Sequence, residues 1–135
     1  MEKGSVVALS KYRFETAEND LQTAKMLFEV GQWKASLNRS YYAIFHALRS
    51  VNALDKFDTK RHSGVIAYFN QHYIKTGILN TDIPLHRLID DAFKMRSNAD
   101  YQDFYVVSKE QVQKQIEDAE TVLNMIRPHL EARWK

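Results

Sequence analysis

The sequence predicts an all-α protein, an antiparallel bundle of four to five helices. Four Gly and two Pro among 135 residues are too few for the many turns of a β-rich fold. Five segments instead space their apolar residues three or four apart, which is the pattern of helices with one buried face. Short loops between them favour antiparallel neighbours. Because the length suits one core, we expect a single domain over residues 1–135.

The first three helices are predicted from this spacing and from the residues that interrupt it. Residues 10–30 form the first helix, and Gly31 is expected to end it. Residues 33–54 form the second helix, which has a continuous apolar stripe. Residues 60–73 form a shorter third helix.

Capping residues mark the ends of the last two predicted helices. Asp82 is predicted as the N-cap of the fourth helix, with Pro84 in its first turn. Ser108 opens the fifth helix with a capping box, and Pro128 is expected to end that helix. Residues 101–107 between these helices are largely aromatic and apolar, so we expect this connector to pack against the bundle.

Several function classes leave no trace in the sequence. The absence of cysteine excludes a disulfide scaffold and a cysteine nucleophile. There is no Gly-rich phosphate loop, serine-hydrolase elbow or paired metal-binding His motif, so we expect no metal and no cofactor. A net charge of +2 restricts any RNA contact to a local patch. The apolar run at residues 6–9 is too short for a signal peptide, and we expect a cytoplasmic protein without membrane contact.

One arginine lies on the apolar side of the fourth predicted helix. With successive residues about 100° apart, Arg96 falls between Ile89 and Phe93 within the apolar sector. Burying it unpaired would cost several kcal/mol, so it needs a carboxylate, a phosphate or a water-filled cleft. Asp100, one turn further along, would form an ion pair with it. The alternative is a guanidinium at a cleft, where its donors match a phosphate.

The second predicted helix has no fully polar face. Opposite its apolar stripe lie Arg39, Tyr42, His46 and Arg49, a mixture typical of an interface. We therefore expect a homodimer formed through the faces of the second and fourth helices. His46 is interpreted either as a hydrogen-bonded interface histidine or as a general base.

Basic residues are concentrated in residues 31–62. This segment has six Lys and Arg against two Asp, whereas the whole chain is nearly neutral. A solvated surface and a nucleic-acid patch explain this excess equally well. Under the second interpretation, the candidates for contact with RNA or a nucleotide are Arg39, Tyr42, Arg49, Lys60 and Arg61.

Three stretches of the chain resemble HEPN domains, in the order in which that family has them. Residues 35–47 (ASLNRSYYAIFHA) resemble the second helix of the family. Residues 61–66 (RHSGVI) and Phe69 resemble its next helix, and residues 96–101 (RSNADY) resemble its Arg-x-x-Ala-Asp-Tyr segment. The resemblance covers nearly the whole chain.

This resemblance implies a dimerising helical bundle, of the kind often encoded beside a minimal nucleotidyltransferase as the toxin of a toxin–antitoxin pair. Active members cut RNA without a metal, using an Arg followed by four to six residues and a His at a dimer cleft. Arg96 matches the Arg, but Tyr101 stands where the His is expected. The resemblance implies that Arg96 stabilises the phosphate, Asp100 orients Arg96, and His46 or Tyr101 moves the ribose 2′-OH proton.

Two other interpretations stay open. In one, the chain is a non-catalytic adaptor that binds a nucleotide or RNA and docks with a nucleotidyltransferase. Tyr101 or Tyr105 would then accept the partner's chemistry, as the resemblance to family members modified on a motif tyrosine implies. In the other, the chain is a structural helical dimer, and Arg96 forms an internal ion pair.

Overall fold

The computed structural model describes residues 3–79 and 82–135, and all regular structure within these ranges is helical. The helices are α1 (Lys3–Glu29), α2 (Trp33–Leu54), α3 (His62–Phe69), α4 (Leu85–Tyr101) and α5 (Lys109–Trp134). A π-helical turn, Asn70–Ile74, extends α3. The predicted all-α bundle is confirmed. None of the helices in these two ranges combines the length and apolar character needed to span a lipid bilayer.

Helix α2 is the centre of the bundle and contacts α1, α3, α4 and α5. Its bounds are those predicted, whereas α3 begins two residues after its predicted start. Small polar residues on α2 allow close helix packing, since Ser36 Oγ donates to the carbonyl oxygen of Ala24 at 2.7 Å. The four large side chains of α2 that are each only 1% exposed are Leu37, Tyr41, Ile44 and Leu48.

Helix α1 begins earlier than its apolar pattern predicts. The predicted start at Ser10 is wrong, because the helix already begins at Lys3 and its first turns are packed: Val6 is 3% exposed. Ser10 Oγ donates to the carbonyl oxygen of Ser50 at 2.7 Å and accepts from Trp134 Nε1 at 2.9 Å. These two bonds join α1 to α2 and to α5.

Asp82 does not cap α4, so the predicted start of this helix is wrong. The helix begins at Leu85, and Pro84 occupies the N-cap position without a side-chain cap. The proline ring disfavours helical backbone at Ile83, which prevents extension back to Asp82. Leu85, at 3% exposure, anchors the first turn in the core.

Pro128 does not end α5, and this prediction is also wrong. The predicted capping box is confirmed, because Ser108 Oγ accepts from the Gln111 backbone N–H at 3.1 Å and the reciprocal bond is 2.9 Å. The helix nevertheless continues through Pro128 to Trp134, although an interior proline costs about 3 kcal/mol. Leu130 is fully buried and Trp134 packs against a phenylalanine of α1, so apolar burial offsets that cost.

The connector between α4 and α5 packs against the bundle only in part, so the predicted packing is only partly correct. Phe104 is 96% exposed, Val106 is 84% exposed, and Tyr101 at the end of α4 is 79% exposed. Val107 is buried and Tyr105 packs partly against the core. Packing of the connector is thus limited to these two side chains.

Replacing Leu130 with alanine should lower the free energy of unfolding by about 2–4 kcal/mol, because the side chain is fully buried. Glu131→Ala, on the exposed side of the same turn, should change it by no more than about 0.5 kcal/mol. Urea denaturation followed by circular dichroism measures both values. A Leu130→Ala variant as stable as Glu131→Ala would contradict a packed helix beyond Pro128.

Candidate functional site

The site lies where α2, α3 and α4 meet, around the guanidinium group of Arg96. Arg96 Cζ is 5.3 Å from the ring centroid of Tyr41 and 5.5 Å from that of Tyr42. Its Nη2 donates to Tyr42 Oη at 3.2 Å, and the side chain is 17% exposed. The cation is therefore partly desolvated over two aromatic rings, where each such contact contributes about 0.5–2 kcal/mol.

Asp100 is the carboxylate that pairs with Arg96. Its Oδ2 atom is 2.8 Å from Arg96 Nε, one turn away on the same helix. The Nε–H is not aligned for a hydrogen bond to this oxygen, and the Asp100 side chain is 30% exposed. Of the two fork nitrogens of the guanidinium, Nη2 has a hydrogen-bond acceptor among the described residues and Nη1 has none. The fork therefore has spare donors. The ion pair thus satisfies the charge of Arg96 without using all of its donors.

His62, the first residue of α3, packs onto the same tyrosines. Its Nδ1 is 2.6 Å from Tyr41 Oη, and its ring stacks on Phe45 with centroids 4.1 Å apart. Burial raises the pKa of Tyr41, so its hydroxyl stays protonated at neutral pH. Burial, and then the positive charges of Arg96 and Arg49, lower the pKa of His62. Near neutral pH the imidazole beside Arg96 is therefore uncharged.

A second cluster lies along α2, where Arg39 and His46 meet a carboxylate of α1. Arg39 Nη1 donates to Asp20 Oδ1 at 3.2 Å, and Arg39 Cζ is 4.8 Å from the Tyr42 ring centroid. His46 Nε2 is 3.8 Å from Asp20 Oδ2, which is too far for a hydrogen bond. The Tyr42 and His46 rings are 5.8 Å apart, so Tyr42 lies between this cluster and Arg96.

Burial shifts the pKa of each titratable partner of this cluster, Asp20 and His46, in the direction of the neutral form. Burial raises the pKa of Asp20, and the charge and hydrogen bond of Arg39 oppose that rise. Burial, and then the charges of Arg49, Arg39, Arg13 and His62, lower the pKa of His46 to about 4. His46 is therefore an uncharged proton acceptor at neutral pH.

Arg49, predicted as an RNA contact, is paired with an aspartate. Its Nη2 donates to Asp58 Oδ1 at 2.9 Å, and Arg13 of α1 binds the same carboxylate at 3.1 Å. Hydrogen bonds from Arg13 and Arg49 hold the pKa of Asp58 below its usual range. Two arginines on one carboxylate leave a net positive charge at this end of α2.

Three predicted site residues lie away from Arg96 or point elsewhere. Lys60 and Arg61 are exposed in the segment before α3, and the backbone N–H of Arg61 donates to Thr59 Oγ1 at 3.3 Å. Tyr101 is the last residue of α4; five positions along a helix amount to about 140° of rotation, so it points away from Arg96. The structure thus groups Arg96 with Asp100 and Tyr42, and through Tyr42 with the Arg39–His46 cluster.

His62 and Asp20 belong to the site but were not predicted as members of it. Asp20 had a signal, because it follows Ala17 by three positions and precedes Ala24 by four, in the buried register of α1. A carboxylate in that register needs a cationic partner. His62 had no comparable signal, since no helical periodicity relates it to Tyr41, 21 positions earlier.

The arrangement is suited to binding a phosphate. Arg96 offers a guanidinium with spare donors, and uncharged imidazoles lie on either side of Tyr42. Arg–phosphate contacts are bidentate and strong in partly desolvated surroundings. Neutral imidazoles beside such a cation can accept or donate one proton.

Comparison with known families identifies the fold. The family model of the HEPN domain matches residues 10–129 of the sequence. The chain belongs to the HEPN domain family. The match includes all of α2, α3 and α4, so the helices that form the Arg96 site lie within the HEPN domain.

Several named proteins are similar to this HEPN domain. "Putative toxin MJ0142" of Methanocaldococcus jannaschii is 28% identical over 116 residues, which cover 86% of this chain and 78% of that protein. A UPF0332 protein of Thermotoga maritima is 30% identical over 121 residues, which cover 90% of each chain. "Putative toxin MJ0605" of M. jannaschii is 33% identical over 87 residues, which cover 64% of this chain and 63% of that protein. Two of these relatives are thus named as toxins.

Lowering the pH from 7 to 5 should destabilise the wild-type HEPN domain more than its His46→Gln variant, by about 1–2 kcal/mol. The folded pKa of His46 is about 4, below the usual histidine value of 6.5, so only the unfolded chain takes up this proton between those values. The free energy of unfolding therefore decreases as the pH falls from 6.5 towards about 4. Asp20, whose pKa is raised by folding, has the opposite effect, but only near the acid end of this range. The charged and titratable groups that face His46 are Asp20, Arg13, Arg39, Arg49 and His62.

Urea unfolding at the two pH values, with both proteins, measures this difference. The comparison between variants cancels the contributions of the other histidines. Parallel pH dependences in the two proteins would show that His46 does not have the lowered pKa.

Proposed function

We propose that this HEPN domain is the toxin-type subunit of a toxin–antitoxin pair, a homodimer that cleaves RNA without a metal ion. The observation that supports this most directly is the Arg96 guanidinium, held over the rings of Tyr41 and Tyr42. The uncharged His62 contacts the same two rings, and the uncharged His46 contacts Tyr42. Similarity to relatives named as toxins supports the biological role. The antitoxin would be a minimal nucleotidyltransferase.

Each residue around Arg96 has a role in this proposal. Arg96 stabilises the negative charge that develops on the scissile phosphate, and Asp100 orients the guanidinium through Nε. His46 or Tyr101 takes the proton of the ribose 2′-OH. His46 is uncharged at neutral pH and so has a free lone pair for it, while Tyr101 is 79% exposed and open to a bound strand.

The remaining predicted residues would bind the RNA backbone at the dimer interface. Dimerisation through the faces of α2 and α4 would bring two Arg96 sites into one cleft. Arg39, Tyr42 and Arg49 lie along α2, and Lys60 and Arg61 lie exposed before α3. Because Arg39 and Arg49 are paired with carboxylates, a phosphate would have to compete with these pairs.

Expression of the wild-type protein in bacteria should arrest growth, and Arg96→Ala should relieve the arrest. The purified variant should cleave single-stranded RNA at least about 100-fold more slowly in the presence of a chelator, because it lacks the charge that stabilises the transition state. Arg87→Ala, on the exposed face of the same helix, should retain both activities. Growth curves and gel assays of labelled RNA measure these effects.

Circular dichroism of both variants provides the folding control. In the same cleavage assay, His46→Gln and Tyr101→Phe identify the proton acceptor by which of them loses activity. A wild-type dimer that leaves RNA intact and does not slow growth would contradict the proposal.

A second function is favoured by the exposed connector. Tyr101, Phe104 and Val106 form a run of exposed aromatic and apolar side chains at one end of the bundle. Such a run is typical of a protein-binding surface. In this alternative the chain is a non-catalytic adaptor that binds RNA or a nucleotide and docks with a nucleotidyltransferase, which transfers a nucleotidyl group to Tyr101 or Tyr105.

Incubation with a minimal nucleotidyltransferase encoded beside this chain, a nucleoside triphosphate and Mg²⁺ tests the adaptor function. Intact-mass spectrometry should show the addition of a nucleotidyl group, because the Tyr101 hydroxyl is exposed. Either Tyr101→Phe or Tyr105→Phe should abolish the addition and so identify the acceptor, whereas Tyr12→Phe, at another exposed tyrosine, should not. An unchanged mass of the wild-type chain would contradict this alternative.

A further inference from the structure

The hydrogen bond between Tyr41 and His62 fixes which nitrogen of His62 bears a hydrogen. Tyr41 is 1% exposed, and its hydroxyl has Nδ1 of His62 as its partner at 2.6 Å. A buried hydroxyl hydrogen needs an acceptor. Among the described residues, the acceptor available to the Tyr41 hydroxyl is Nδ1 of His62. Tyr41 therefore donates to Nδ1, and the single hydrogen of the neutral ring lies on Nε2.

The Nε2–H of His62 has no hydrogen-bond acceptor within residues 3–79 and 82–135. Within these ranges Nε2 is not one of the polar side-chain atoms that are both fully buried and without a partner, so it reaches solvent. His62 thus has one ring nitrogen held by the protein and the other available to a ligand.

His62 and Arg96 lie on the same two tyrosine rings. The His62 ring centroid is 5.6 Å from that of Tyr41 and 5.7 Å from that of Tyr42, and Arg96 Cζ is 5.3 Å and 5.5 Å from the same two centroids. The charge of Arg96 is close enough to lower the pKa of His62. A cation and a neutral N–H donor thus both contact one pair of tyrosine rings that α2 fixes in the core.

We propose that Nε2–H of His62 and the guanidinium of Arg96 together bind one phosphate group of a ribonucleotide chain, and that Tyr41 is the positioning residue that fixes the His62 tautomer. The identity of the ligand rests on the function proposed above. The phosphate site itself is independent of cleavage, because binding needs only the two donors. Sequence resemblance expected the histidine partner of Arg96 near position 101, on α4. The proposed histidine partner, His62, lies on α3 instead.

Nitrogen NMR of the histidine rings tests the proposal on the wild-type protein in a chelator. The free protein should show His62 with hydrogen on Nε2 and none on Nδ1. Addition of a 2′-O-methyl oligoribonucleotide, which has no 2′-OH and cannot be cleaved, should shift His62 Nε2 saturably while His86, exposed on α4, stays unchanged. A His62 ring protonated on Nδ1, or one that does not respond to the oligonucleotide, would overturn the proposal.

Two further ligands identify the source of the phosphate. Inorganic phosphate and a nucleoside monophosphate should produce the same direction of shift with a much higher Kd than the oligonucleotide. If the monophosphate binds as tightly as the oligonucleotide or more tightly, the ligand is a free nucleotide, and the proposal that it is a ribonucleotide chain is overturned.

Variants distinguish binding from packing. His62→Phe keeps a ring on Phe45 but removes the N–H, and should raise the Kd of the oligonucleotide about tenfold, the value of a hydrogen bond to a charged group. His62→Gln restores an N–H near the Nε2 position and should recover part of the affinity. Tyr41→Phe should raise the Kd about twofold, since the ring then divides between two tautomers.

The outcome for this site and the outcome for RNA cleavage are read separately. A lower melting temperature in His62→Phe with unchanged affinity would overturn the proposal and leave His62 as a packing residue. If His62→Phe does not fold, the wild-type titration decides alone. A saturable His62 shift in a protein that neither cleaves RNA nor arrests growth would support the phosphate site and contradict the nuclease.

Discussion

The burial of Tyr41 at the centre of α2 is the constraint on which the site depends. Its ring is enclosed by α2, α3 and α4, and its hydroxyl must be hydrogen-bonded because an unpaired buried hydroxyl costs about 1–3 kcal/mol. His62 supplies that bond and thereby fixes the first residue of α3 against α2. The face of the same ring binds the Arg96 guanidinium of α4. One side chain thus sets the relative positions of a cation and an imidazole on two different helices.

The arginines of this surface are paired with carboxylates, which would compete with an anionic ligand. Arg39, Arg49 and Arg96 are each paired with an aspartate, since a half-buried guanidinium without a counter-charge would cost several kcal/mol. A phosphate at Arg39 or Arg49 must therefore replace a carboxylate, which reduces the net gain of binding. Arg96 differs, because Asp100 contacts its Nε and not its fork, so an anion can bind the fork without displacing the carboxylate. We therefore expect an anion to gain most at Arg96.

Helical periodicity predicted the number and order of the helices, and it predicted the bounds of α2 to the residue. The errors lie where local rules compete with packing. Pro128 costs helix stability locally, yet the burial of Leu130 outweighs that cost and α5 continues. Asp82 is a good capping residue, but Pro84 excludes the backbone that it would cap. The exposed connector contradicted in part the expectation that an apolar segment packs within its own chain.

The sequence by itself determined the all-α fold, the HEPN family and the anomaly of Arg96, because these follow from spacing within single helices and from motifs along the chain. It also indicated Asp100 as the partner of Arg96, since positions four apart on a helix are neighbours. Only the tertiary structure decided that His62 and Asp20 belong to this surface. Their contacts join helices distant along the chain, and the tilt and rotation of packed helices, not any periodicity, determine which side chains meet.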